Sequence, residues 1–144
     1  MKTKYLFLIL MLLSAIGFAQ RDYPRLNVIF KKNFDTKKDV YVEPIIADNV
    51  FAIDLLKNSL TVAGFNAVAN PKKAEYIIKL IYKARNDQGC NGSVMKSMKG
   101  SVVDSKNEIV VEFNFGQSAL EMKCTKDVMN RLVDKLHNQF SIGN

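Results

Sequence analysis

The hydrophobic residues between positions 48 and 64 recur at the spacing of an α-helix. Asp48 or Asn49 precedes them, and either can cap a helix because its short side chain accepts a hydrogen bond from a free N–H of the first turn. Gly64 follows, where glycine readily takes the left-handed conformation that ends a helix, and Phe65 can then pack back on Leu60. The apolar stripe consists of Ala52, Ile53, Leu55, Leu56, Leu60 and Ala63. These signals together predict one amphipathic helix.

From Tyr76 onward the hydrophobic pattern changes to a period of two. The apolar positions are Tyr76, Ile78, Leu80, Tyr82 and Ala84, and the polar ones between them include Lys79, Lys83 and Arg85. This alternation is typical of a β-strand with one buried and one exposed face. Ile77 and Ile81 fall on the polar face. They either weaken the pattern or indicate a surface that a partner covers.

Five other segments have strand patterns. They are residues 26–34, 40–43, 67–69, 94–103 and 108–115. Pro44 ends the second of these because proline cannot donate to a sheet. The last two form a predicted hairpin around the polar turn of residues 104–107. The residues expected on the buried face of its second strand are Ile109, Val111, Phe113 and Phe115.

A second amphipathic helix is predicted near the end of the sequence. Thr125 can cap it, and Asp127 suits the positive end of the helix dipole. Its apolar stripe consists of Val128, Met129, Leu132, Val133, Leu136 and Phe140. Both helices need an apolar surface, and one-sided strands provide it. The predicted fold is therefore α+β, a two-layer sandwich. A mixed, mostly antiparallel sheet of five or six strands carries both helices on one face, and Lys79, Lys83, Arg85, Glu108 and Glu112 lie on the other.

The first 19 residues have the pattern of a secretory signal peptide. Lys2 and Lys4 precede the apolar run of residues 5–13, and small residues lead to a predicted cut after Ala19. An uncleaved membrane-spanning segment is the alternative, although the apolar run is shorter than a span needs. Residues 20–144 are then expected to form a single domain. No cysteine follows the apolar run, so the prediction is a periplasmic or secreted protein rather than a lipoprotein.

The chain is basic, with a formal net charge of +7, which falls to +5 when Lys2 and Lys4 are removed. This surplus favours anionic envelope lipid or polymer as a partner, or it is an ordinary solvated surface. Nucleic acid is not expected as a partner, because the chain is exported and its basic residues are not interleaved with aromatic ones.

Cys90 and Cys124 are the two cysteines of the chain, and export predicts that they form a disulfide. Two buried free thiols are the alternative. Residues 86–92 are rich in loop-forming types, and loops on a rigid scaffold often bind partners. Asp87, Gln88 and Asn91 are therefore candidate interaction residues.

No residue pattern predicts catalysis, a metal or a cofactor. His137 is the only histidine, so a multi-histidine zinc site is excluded, and a partly exposed position on the last helix is expected for it. Met95 and Met98, with Met122 and Met129, could supply thioether ligands for Cu(I), but packing explains them better because strand residues three apart face opposite sides. The protein is not expected to be an enzyme.

Several segments together resemble small domains of bacterial envelope proteins: the TolB N-terminal domain and modules of CsgG-type and LptE-type or transport-auxiliary proteins. The segments are Val40–Pro44, the helix end at Leu56, Leu60, Gly64 and Phe65, Ala74–Tyr76, Asp104 with Asn107–Ile109, and Val128–Phe140. The resemblance implies an α/β fold and an envelope setting. It implies no catalytic or binding residue, because those domains share none.

Three functional hypotheses follow. The leading one is a non-catalytic, exported accessory module that binds envelope proteins. The second is a secreted inhibitor or small-ligand binder that presents the loop at Cys90. The third is a small hydrolase.

Overall fold

The computed structural model describes residues 25–46, 48–90, 92–118 and 122–139. The predicted signal peptide, Asn91 and Phe140 lie outside these residues. Within them, the helices and strands follow in the order β1 (Arg25–Phe30), β2 (Val40–Val42), α1 (Ala52–Val62), β3 (Tyr76–Asp87), β4 (Gly92–Asp104), β5 (Ile109–Gly116), β6 (Lys123–Cys124) and α2 (Thr125–His137). Short 3₁₀ turns occupy Pro71–Lys73 and Gln88–Cys90.

The six described strands form one mixed sheet in the order β1-β5-β4-β3-β2, and β6 pairs with β4. Strands β2 and β3 run parallel, whereas the other strand pairs of this sheet are antiparallel. Both helices bury their apolar stripes with one face of this sheet in a common core that includes Leu56, Leu60, Leu132 and Leu136. The predicted α+β architecture, a mostly antiparallel sheet covered by two helices, is confirmed.

The first turn of α1 is capped by the side chain of Asp48, which lies three residues before the capping position. Phe51 occupies the capping position in the left-handed conformation, with φ 55° and ψ 33°. The two carboxylate oxygens of Asp48 accept the N–H groups of Ala52, at 2.7 Å, and Ile53, at 2.9 Å. Asp48 therefore satisfies the first turn as predicted, although it lies outside the helix.

The end of α1 also follows its sequence signals. Gly64 has a φ of 88°, and its N–H bonds the carbonyl of Thr61. The N–H of Phe65 bonds the carbonyl of Leu60 at 3.0 Å, and the Phe65 ring is buried. This pattern is the Schellman motif, which satisfies carbonyls that the helix leaves unpaired.

Three local predictions are wrong. The first strand ends at Phe30, because the N–H groups of both Lys31 and Lys32 bond the carbonyl of Val110 and end the regular ladder. Residues 67–69 form only an isolated bridge between Ala67 and Val40, because the chain turns away at Pro71. Thr125 is the first residue of α2 rather than its cap; its hydroxyl accepts a 2.6 Å hydrogen bond from Ser93 in the protein interior.

Within the described ranges, no helix is long and apolar enough to span a membrane.

Candidate interaction surface

The two faces of the sheet have different surroundings. One face is covered by α1 and α2, whereas the other, here called the open face, carries no layer of described residues. Strands β1, β5, β4 and β3 form a concavity of about 600 Å³ on it. Its lining side chains include Ile29, Glu43, Lys79, Ile81, Lys99, Ser101, Ile109, Glu112 and Asn114. This concavity is large enough to receive part of another molecule.

Three isoleucines stand exposed on the open face. Ile29 on β1 is 49% exposed, Ile81 on β3 is 69% exposed and Ile109 on β5 is 42% exposed. A single exposed apolar residue is ordinary, but three around one concavity are characteristic of a binding surface. Ile81 is one of the two residues whose position on the polar side of β3 suggested a covered surface in the sequence.

Ile109 reaches the open face because of a β-bulge. The register between β4 and β5 shifts after Val102, which pairs with Val111, so that Val103 pairs with Ile109. Val110 is the extra residue, and it is buried next to Val111. The prediction that Ile109 shares the buried face with Val111 is therefore wrong, since a bulge reverses the alternation of side chains.

Gly100 on β4 lies at the floor of the concavity. A side chain there would enter the helix-covered side of the sheet, where the Phe113 ring and the Lys79 carbonyl already occupy the space. Glycine thus allows the Phe113 ring to lie against the β4 backbone, as happens where a strand lacks a side chain.

The charges on the open face are unevenly paired. Lys31 and Glu112 form an ion pair at 3.2 Å between the end of β1 and β5. Lys79 donates to the Asn107 side chain at 3.4 Å. Across the described part of the chain, no hydrogen bond or ion pair engages the side chain of Lys83 or Lys99. The β3 side of the face therefore has more positive charge than the β1 side.

The predicted disulfide between Cys90 and Cys124 is present, with the two Cα atoms 5.3 Å apart. It joins the turn after β3 to the start of α2. Asp87, one of the candidate interaction residues, uses its carboxylate within the loop: it accepts the N–H of Gly89 at 3.0 Å and pairs with Arg85 at 3.7 Å. Gln88 is exposed. Among the described candidate residues of the loop, only the side chain of Gln88 is therefore free to contact a partner. The open face supports a binding role better than this loop does.

Tyr82 and Asp48 form a partly buried polar pair between β3 and the segment before α1. The Tyr82 hydroxyl donates to the carboxylate that caps α1. Burial, followed by this hydrogen bond to Asp48, raises the pKa of Tyr82 to about 12. A tyrosine in this pair holds the cap in place and remains protonated at physiological pH.

Replacing Tyr82 with phenylalanine should remove a pH dependence of stability. Because the folded-state pKa lies above the ordinary tyrosine value of 10.0, the unfolded chain loses this proton first. The stabilisation is complete below pH 10 and declines as the pH rises toward 12. Denaturation of the wild type across this range should show that decline, and the Tyr82→Phe variant should show less of it. An equal decline of the free energy of unfolding with pH in both proteins would contradict the assignment of this pH dependence to Tyr82.

The remaining chemical candidates are structural. Met95, Met98 and Met129 are buried in the core, as packing predicts. The expectation that Met95 and Met98 face opposite sides is wrong, because a bulge at Lys96 of β4 puts both side chains on the helix-covered side. His137 is exposed near the end of α2, where its ring meets the edge of Phe65 at a centroid distance of 5.9 Å. Over the residues that the structure describes, no three His, Cys, Asp or Glu side chains are grouped to hold a metal ion.

Solved structures share the fold of this chain, whereas no family model and no curated protein matches its sequence. The solved dodecamer of a PelC variant from Paraburkholderia phytofirmans is similar at a TM-score of 0.52 and 16% identity, over 79% of this chain and 95% of that one. At these values the similarity shows a common fold.

Two larger proteins contain a similar region. A PDZ domain protein from Parabacteroides distasonis has a TM-score of 0.51 at 11% identity, and TolB from Acinetobacter baumannii has 0.51 at 12%. They align with 90% and 81% of this chain, which spans only 39% and 31% of their lengths. These similarities of fold to envelope-associated proteins agree with the predicted resemblance at the level of the fold alone.

Proposed function

We propose that this protein is a non-catalytic accessory module of the cell envelope that binds another envelope component through its open face. The observation that carries the proposal is the group of exposed isoleucines, Ile29, Ile81 and Ile109, around one concavity. A sheet face with two helices on its opposite side is rigid, so an apolar surface on it is preorganised for binding.

An exported setting is supported by independent features. The disulfide between Cys90 and Cys124 favours an oxidising compartment. The first 19 residues have the pattern of a signal peptide that directs the chain to the periplasm or the medium. Similarity in fold to envelope-associated proteins such as TolB agrees with this setting and with membership of the same broad group of small envelope domains.

The described residues support a hydrolase less well than a non-catalytic binding module. Both cysteines are consumed by the disulfide, which removes a thiol nucleophile. Nδ1 of His137 lies 3.5 Å from the side-chain oxygen of Asn138, so its described neighbour is an amide rather than a carboxylate that would hold a catalytic base.

The proposal is tested by comparing two single substitutions of exposed aliphatic residues. Ile81→Ser removes the most exposed of the three isoleucines on the open face, and Val62→Ser removes an 83% exposed side chain from α1 in the other layer. The wild type and each variant are used to recover proteins from envelope extracts of the producing cells, with quantification by mass spectrometry. Proteins recovered by the wild type and Val62→Ser should be depleted by roughly tenfold or more with Ile81→Ser, a loss of about 1.4 kcal/mol in binding.

Recovery that is equal for Ile81→Ser and the wild type would contradict the assignment of the open face. The Val62→Ser protein controls for the general effect of removing a surface hydrophobic residue. Circular dichroism of each variant confirms that the fold is kept, which is expected because both side chains are exposed.

A further inference from the structure

The open face has two flanks of different character. On the β1 side, Ile29 and Ile109 lie near the ion pair of Lys31 with Glu112, so this flank is apolar and electrically balanced. On the β3 side, Ile81 lies between Lys79 and Lys83 along the strand, and Lys99 is its cross-strand partner. The β3 side is called the basic flank, and it consists of Ile81, Lys79, Lys83 and Lys99.

One carboxylate partly offsets the basic flank. The N–H of Glu43 bonds the carbonyl of Ile78, which places Glu43 beside Lys79 in the sheet. The excess positive charge therefore resides at Lys83 and Lys99, whose ammonium groups have no partner among the described side chains.

The dimensions of the surface indicate the shape of its occupant. Neighbouring strands lie about 4.8 Å apart, so Ile81 on β3 and Ile29 on β1, three strands away, are separated by roughly 14 Å across the sheet. A single extended strand covers about a third of that width, whereas an α-helix with its side chains is roughly 10–12 Å across. A helix lying on the open face would meet both flanks and bury the three isoleucines.

The termini of the chain do not suit this surface. Residues 1–24 include Lys2, Lys4 and Arg21 but only one acidic residue, Asp22, so they have the same sign of charge as the basic flank. Residues 140–144 carry no charged side chain that could complement the basic flank.

A second copy of the chain suits the surface no better. The exposed side of α1 presents one acidic and one basic residue, Asp54 and Lys57. The exposed charged residues of α2 before His137 are Lys126, Asp127, Arg131, Asp134 and Lys135, a basic majority. Neither helix of another copy offers an acidic face.

We propose that the open face binds an acidic amphipathic helix of a different protein, with its apolar stripe over the three isoleucines and its carboxylates at Lys83 and Lys99. This inference rests on the proposed function, because it specifies the partner of the same surface. Complementary charge raises the association rate and orients the partner, and exposed charge contacts weaken as salt screens them. Binding is therefore salt-sensitive, and its orientation is set by the basic flank.

The test is a selection from a displayed library of random helical peptides against the purified protein. Enriched peptides are synthesised and their affinities measured by fluorescence anisotropy at low and high salt. The expected peptides combine aliphatic residues at helical spacing with an excess of Asp and Glu. They should bind the Lys83→Glu/Lys99→Glu variant roughly tenfold or more weakly, and Lys57→Glu on α1, the matched charge control, with unchanged affinity.

The outcomes separate this inference from the proposed function. Peptides that depend on Ile81 but are not acidic, or that tolerate the reversal of both lysines, would refute the acidic partner and leave the open face as the binding surface. Peptides that bind Ile81→Ser as well as the wild type would refute both, and so would a selection without enrichment if vesicles also fail to bind through the two lysines.

A lipid surface is distinguished in a parallel measurement. Vesicles of phosphatidylglycerol are sedimented with the wild type and with Lys83→Glu/Lys99→Glu. Sedimentation that requires the two lysines, without enrichment of acidic peptides, would replace the protein partner by an anionic membrane. Because the surface is concave, we expect the peptides to be enriched and the vesicles to recover both proteins equally.

Discussion

Replacing Cys90 and Cys124 together by serine is expected to lower the free energy of unfolding by about 3–4 kcal/mol. The bridge closes a loop with a sequence separation of 34 residues. In the chain-entropy account, a cross-link over a loop of this length lowers the entropy of the unfolded chain and thereby stabilises the folded state by about 3–4 kcal/mol. The folded contacts beside it are few, because β6 pairs with β4 at only two positions. Urea denaturation followed by circular dichroism measures the difference.

Reduction of the disulfide supplies the control. A reductant should lower the denaturation midpoint of the wild type toward that of the Cys90→Ser/Cys124→Ser variant and leave the variant unchanged. A wild type whose midpoint is the same with and without reductant would show that the bridge contributes no stability.

Replacing Gly100 by alanine is expected to cost about 3 kcal/mol of stability. The added methyl group would lie well inside van der Waals contact with the Phe113 ring and with the carbonyl oxygen of Lys79. The ring is buried, and the carbonyl belongs to β3, which is paired on both sides, so neither can move without disturbing the core or the sheet. Overpacking of this kind costs about 1–3 kcal/mol, and a backbone contact places this site at the upper end. Thermal and urea denaturation provide the measurement.

Gly116 is the matched control for this substitution. It also lies in the sheet, at the end of β5, but a methyl group there would meet no atom within 4 Å. Gly116→Ala should therefore leave stability unchanged or raise it by up to about 1 kcal/mol, because alanine loses less backbone conformational entropy than glycine when the chain folds. Similar losses at both positions would mean that the Phe113 contact is not what requires glycine at position 100.

The elements of this fold were predictable because their signals are local. The stripe ending at Leu60 and the stop at Gly64 define α1 without reference to the remainder of the chain. The alternation that begins at Tyr76 likewise defines β3 and identifies which of its sides is buried. Two amphipathic helices and a set of one-sided strands have few ways to bury their apolar surfaces, and a two-layer sandwich satisfies all of them.

Two of the predictions that failed depended on partners distant in the sequence. Thr125 has the chemistry of a helix cap, but its hydroxyl is engaged by Ser93, 32 residues away. Ile109 and Val111 are two residues apart, so a regular strand would place them on the same face. The bulge at Val110, whose carbonyl accepts from both Lys31 and Lys32, turns Ile109 to the other face. Neither the hydrogen bond nor the bulge leaves a signal in the adjacent residues.

The candidate site was visible only in part. Ile81 stood out in the sequence as an apolar residue on the polar side of a strand, whereas Ile29 and Ile109 gave no such indication. They come from β1 and β5, and only the strand order β1-β5-β4-β3-β2 brings them to the same concavity as Ile81.

The amino-acid sequence alone determined both helices and the longer strands, which side of most of them is apolar, and that two cysteines are available to form a bridge. These properties follow from side-chain periodicity and local backbone preferences, which act within a few residues. The tertiary structure decided the order of the strands, the bulge at Val110, and the meeting of three isoleucines and Lys99 at one concavity. Pairing between strands distant in the sequence sets all three, because it is chosen by the packing of the whole core.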